Sequence, residues 1–106
     1  MYTVIYPLYR KPELSQEEFV SYWLETHKPI AMRIPNVRSY RICPVTEAEG
    51  VEGEEVAGFV IFEFDSKADF DEAHDSPEFA ATAADASGNF VRHFTRYAVD
   101  VHTAIG

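Results

Sequence analysis

The run Val56–Phe64 (VAGFVIFEF) constrains this chain more than any other feature. It is the most apolar stretch, rich in β-branched and aromatic residues and too short for a buried helix, so it predicts a strand inside a sheet. Tyr2–Tyr9 is a second such run, free of charge, with both faces expected to be covered. Between them lies a helix marked at its start. Ser15 followed by Glu18 is a capping box, in which the serine hydroxyl accepts from the amide three residues on and the glutamate reaches back. From there Phe19, Tyr22, Trp23, Thr26, His27, Ile30, Ala31 and Ile34 repeat at i, i+3, i+4, i+7 and define one helical face. Pro29 interrupts it and predicts a kink or an early end near His27, because it cannot donate to the carbonyl of Glu25.

The remaining punctuation completes the order strand, helix, strand, strand, helix, strand. Val37–Val45 reads as a strand with Arg38, Tyr40 and Ile42 on one face and Ser39, Arg41 and Cys43 on the other. Thr46–Glu55, with five glutamates and two glycines, reads as a solvated hairpin loop. Ser66 caps another helix, Ser76-Pro77 restarts it, Gly88-Asn89 ends it, and Phe94–Val101 is the last strand. Two such halves predict an α+β domain of the ferredoxin-like βαββαβ kind, spanning residues 1–106, with a four-stranded antiparallel sheet. Helices can cover only one face of that sheet. In a chain of 106 residues a second copy is the expected cover for the other face, which predicts a homodimer.

Charge and cysteine usage exclude several functions. The net charge is −9, and thirteen acids against one base fall between Thr46 and Val91. Such a surface repels phosphate backbones and anionic headgroups, so neither nucleic acid nor a membrane is an expected partner. Cys43 is the only cysteine, which excludes an internal disulfide and an all-cysteine metal site. With no signal-peptide pattern and no run long enough to span a bilayer, the cytoplasm is the expected location. There is no His pair at i, i+4, no Cys-x-x-Cys, no GxGxxG and no P-loop, and nothing marks a haem ligand uniquely. The chemistry is therefore expected to need no metal and no cofactor.

The segment Phe19-Val20-Ser21-Tyr22-Trp23-Leu24-Glu25-Thr26-His27-Lys28-Pro29 resembles the signature of the EthD family: Phe, then Tyr-Trp, then His-x-Pro. Pro35-Asn36-Val37-Arg38-Ser39-Tyr40 resembles that family's proline-led entry into a Tyr-bearing strand, although Asn36 stands where glycine is common. Phe64-Asp65-Ser66 and Ser76-Pro77-Glu78 resemble its punctuation around the second helix. The resemblance implies a dimeric α+β barrel, two sheets packed face to face, with a small-ligand pocket between sheet and helices in each subunit. Family members include proteins tied to fuel-ether degradation, a lactone methyl-isomerase and cofactor-free polyketide-tailoring enzymes, so it implies no single reaction.

Two residues stand out for chemistry. His27 points inward and can exchange protons near neutral pH, as a general acid/base on a lactone, enol or carbonyl ligand, or it is a histidine bonded to backbone at the kink. Tyr40, in the family pattern, faces the helix layer and either orients a ligand oxygen beside His27 or is a core tyrosine. Tyr6, Trp23, Cys43, Phe59 and Tyr97 are candidate pocket-lining residues, or simply core. Glu63 is either a base or a cross-sheet partner of Arg38 or Arg41. The reading is a cofactor-free isomerase, cyclase or lyase acting on a small hydrophobic oxygenated catabolite or polyketide-like compound. A ligand-sequestering or stress-related barrel protein is the alternative.

Overall fold

A computed structural model describes residues 1–106. Its elements are β1 (Tyr2–Arg10), α1 (Gln16–Tyr22), a π-helical turn (Trp23–His27), α2 (Lys28–Ala31), β2 (Ser39–Pro44), β3 (Gly58–Phe64), α3 (Lys67–His74), α4 (Pro77–Asn89), β4 (Val91–Phe94) and β5 (Tyr97–Val99). The strands are antiparallel in the order β2-β3-β1-β4, with β5 also paired to β1. This is the ferredoxin-like α+β arrangement, with β3 and β1 at the centre of the sheet.

The expected final strand is divided. Leu8 pairs with Phe94 and Ile5 with Tyr97, so β4 and β5 keep one register along β1 and only Thr95-Arg96 break the ladder. The strand also begins earlier than expected, at Val91, behind a register shift at Tyr9/Arg10. The helix α4 ends at Asn89, where the Gly88-Asn89 pair predicts its end.

Alternation in β3 separates the two faces of the sheet. Gly58, Val60, Phe62 and Phe64 are buried, whereas Phe59 is exposed and Ile61 and Glu63 are half-buried. The buried set, with Val4, Tyr6 and Leu8 of β1, meets Phe19, Trp23, Phe70, Ala73 and Phe90 from the helical layer. The opposite face carries Ile5, Pro7, Cys43, Phe59, Ile61 and Tyr97 and is covered by no helix. Glu63 sits on that face within 3.6 Å of Arg41, the cross-strand pairing expected of it.

Two positions show what the local backbone requires of its residue. Asn36 has φ 65°, a conformation that asparagine tolerates better than most residues, and its amide donates to the Asp69 carbonyl (3.1 Å) and the Glu72 carboxylate (3.0 Å). The turn that glycine commonly makes is thus held here by hydrogen bonds to α3. Gly58 lies directly under the fully buried Trp23 ring, and a Cβ at this position would overlap the Cζ3 and Cη2 atoms. Gly58→Ala is therefore expected to destabilise the protein by about 1–3 kcal/mol through overpacking. Chemical denaturation would read this as a lower midpoint at unchanged slope.

Candidate functional site

The helical hydrogen bonds around Pro29 determine where His27 points. Proline has no N–H for the carbonyl four residues earlier, so the helix widens: the Lys28 amide donates to the Trp23 carbonyl, five residues back. In a regular helix, residues spaced by four drift about 40° around the axis per step. One wide turn offsets that drift, and Phe19, Trp23, His27 and Ala31 all stay buried in a single line. The expected kink is thus a π turn, and the expected break is absent. Pro29 aims His27 at the sheet.

The partner of His27 is a carboxylate from the other helical unit. His27 Nδ1 lies 2.7 Å from Asp85 Oδ2 on α4, and the His27 ring packs on Phe90 at 4.8 Å. Asp85 Oδ1 accepts from the Tyr22 hydroxyl (2.7 Å) and from the Asn89 amide (3.0 Å). Burial resists ionisation of Asp85, but the His27, Tyr22 and Asn89 donors outweigh it and hold its carboxyl below the usual range. Burial likewise pushes His27 below its ordinary value, with Asp85 opposing only in part. The pair is therefore a neutral imidazole beside a carboxylate. Nδ1–H donates to Asp85, which leaves Nε2 with its lone pair and no hydrogen-bond partner in the chain. Tyr22, against the same carboxylate, is pushed up to about 12, first by burial and then by Asp85.

His27 lines an open cleft between the sheet and the helices, with a cavity volume of about 60 Å³. Twelve of its fourteen lining residues are hydrophobic. Tyr6, Val60 and Phe62 form the floor; Phe79, Ala83 and Ala86 of α4 form part of the wall; Tyr40 and Phe94 stand on either side. Tyr40 stacks on Phe62 at 4.8 Å. The Tyr40 and Tyr6 hydroxyls are buried without a hydrogen-bond partner. Burial pushes the Tyr40 phenol up to about 12; the Trp23 indole is near enough to oppose this slightly but does not reach hydrogen-bond geometry. Tyr6 is also pushed up to about 12 by burial, against the opposing charge of Arg96.

Of the residues singled out from sequence, His27, Tyr40 and Tyr6 meet at this cavity, and the other four do not line it. Trp23 is fully buried beneath the site, between Phe19 and Phe90. Cys43 and Phe59 face each other across β2 and β3 on the helix-free side, and Tyr97 lies on that side at 56% exposure. Strand alternation turns these three away from the helices. Sequence reasoning missed Asp85, Phe79 and Phe94. Asp85 carried a weak signal, as the only carboxylate in the interior of an alanine-rich helix. No three His, Cys, Asp or Glu side chains converge on a common point.

Residues 11–93 match a family model described as the EthD domain. Among solved structures, an ethyl tert-butyl ether d (EthD) family protein from Bacillus halodurans superimposes with a TM-score of 0.77 at 20% identity, covering 96% of this chain and 100% of its own. A DABB family protein with a ferredoxin-like fold from Mesorhizobium loti gives 0.72 at 15%, covering 96% and 99%. A protein from Bacteroides fragilis, described as dimeric, ferredoxin-like and of unknown function, gives 0.70 at 14%, covering 94% and 95%. At these identities the superpositions establish the fold alone. No curated protein matches the chain in sequence.

Proposed function

This chain belongs to the EthD family, and from that premise we propose that it is a homodimeric, cofactor-free acid/base catalyst for a small, hydrophobic, oxygenated compound. The observation that carries the reading is the 2.7 Å bond from Asp85 to His27 Nδ1, which frees Nε2 of a neutral imidazole in an apolar cavity. Nε2 takes a proton from a carbon or hydroxyl of the ligand. Asp85 stabilises the resulting imidazolium, and the Tyr40 hydroxyl donates to the ligand oxygen on which charge develops. Return of the proton to another ligand atom completes an isomerisation; loss of a leaving group in its place gives a lyase.

The apolar cavity alone would also suit a protein that only sequesters its ligand. Ring opening of 5-nitrobenzisoxazole, which reports a base in an apolar site, separates the two. Catalysis at substoichiometric protein that disappears in His27→Gln supports the enzyme; no acceleration over free imidazole counts against it.

The dimer is inferred from the helix-free face, where Phe59 and Tyr97 are 36% and 56% exposed beside Ile5, Cys43 and Ile61. It also agrees with structural neighbours described as dimeric. Two sheets closing on these faces form the α+β barrel. Size exclusion with light scattering is expected to give about twice the 12.1 kDa chain mass, and Phe59→Glu is expected to halve it. A wild-type protein that stays monomeric at micromolar concentration would sink the barrel. No helix is long and apolar enough to cross a membrane.

A further inference from the structure

The interruption between β4 and β5 places a cation beside the cavity. The register that pairs Leu8 with Phe94 and Ile5 with Tyr97 puts Arg96 directly across from Tyr6, on the helix-facing side. Phe94, two residues earlier on that side, lines the cavity and packs edge-on against the Tyr6 ring at 5.9 Å. The Arg96 guanidinium lies over the Phe70 ring at 5.3 Å and has no carboxylate within ion-pair distance. Three of the six arginines of this acidic chain do find one: Arg38 pairs with Asp65, Arg41 with Glu63 and Arg92 with Glu54, whereas Arg10 and Arg33, like Arg96, do not.

Beside it, the Tyr6 hydroxyl is buried in a residue only 6% exposed; the Arg96 guanidinium is near enough to oppose the rise in its pKa but does not reach hydrogen-bond geometry. A buried, unsatisfied hydroxyl is costly unless something arrives to accept from it. An unpaired guanidinium and an orphan phenol at one edge of an apolar cavity form a two-donor site for an anionic oxygen. We propose that Arg96 and Tyr6 form a carboxylate-recognition subsite, so that the ligand is an apolar acid whose ring or chain fills the cavity.

This rests on the acid/base reading above and gives the ligand a polarity. Tyr6 and Tyr40 stand on strands either side of β3, two strand spacings apart, or roughly 10 Å at the backbone. A ligand anchored by its carboxylate at Tyr6 and Arg96 presents a different oxygen at Tyr40. Arg96 acts by holding the ligand in that orientation and takes no proton.

Calorimetric titration of the intact protein with 2-naphthoate and with its neutral isostere 2-naphthamide tests the subsite. The acid is expected to bind roughly ten- to a hundredfold more tightly than the amide, as a charge-assisted pair would give. Arg96→Leu is expected to abolish that preference by weakening the acid far more than the amide, with only a small change in melting temperature because the side chain is exposed. Arg96→Lys should retain part of it, and Tyr6→Phe should reduce it. Added salt should shrink the preference in the wild type. Equal affinities for acid and amide overturn the proposal, as does failure of naphthoate to bind or a preference that survives Arg96→Leu. The readout is equilibrium binding, so these outcomes leave the proton-transfer role of His27 to be judged by its own test.

Discussion

Replacing His27 by glutamine is expected to slow proton transfer by roughly 10²–10⁴ while leaving the fold intact, the usual cost of losing a positioned general base. Glutamine keeps a donor for Asp85 and much of the volume beside Phe90, yet it has no titratable lone pair. The wild-type rate should rise with pH through an apparent pKa below the ordinary histidine value of 6.5, because burial disfavours the imidazolium, and then level off. The glutamine variant should show no such limb. If His27 is instead a structural peg, the same substitution should lower the melting temperature by several degrees, as loss of a buried bond of about 1–3 kcal/mol does in a domain of this size. Turnover per folded molecule would then stay at the wild-type level, and the catalytic assignment would fail.

The sequence carried the fold almost completely, because the relevant signals are local. Ser15 with Glu18, Ser66 and Ser76 each mark a helix start within four residues, and the caps form as read. The runs at β1 and β3 are apolar enough to leave no other reading. The inward direction of His27 was legible from the spacing Phe19, Trp23, His27, but the π turn that secures it was not. The sequence shows that Pro29 withholds a donor; it does not show that the helix will widen rather than stop. Asp85 was hidden for a different reason. It lies 58 residues from His27, and only the packing of α4 on the first helical unit brings the two together. Cys43, Phe59 and Tyr97 were misplaced because both sheet faces are apolar. Alternation fixes which residues share a face, but identifying the face toward the helices requires knowing where the helices pack.

Asp85→Asn is expected to damage both chemistry and stability, with a distinct pH signature for each. The carboxylate receives Tyr22, His27 and Asn89, whereas an amide offers one acceptor oxygen and adds two donors of its own. An amide N–H directed at His27 Nδ1 would move the ring proton to Nε2 and remove the base. The comparable carboxylate-to-amide change in a hydrolase triad costs about 10⁴ through the wrong tautomer, and a loss of roughly 10²–10⁴ is expected here. Leaving one buried donor unpaired should also cost about 1–3 kcal/mol. In the wild type both shifts act in the same direction. Stability from the neutral His27 ring is complete above pH 6.5 and is lost as pH falls through its depressed folded value. Stability from the Asp85 carboxylate is complete above pH 3.8 and is lost as pH falls through a folded value lower still. In the asparagine variant the second loss should vanish, since no carboxylate remains to protonate. The first should extend to lower pH, because His27 loses the charge that opposed burial and its folded pKa drops further. Melting temperature followed from pH 8 to pH 3 on both proteins, beside ring-opening rates, resolves the two effects. A variant with the wild-type rate and an unchanged acid limb would show that Asp85 neither orients His27 nor holds its proton at Nδ1.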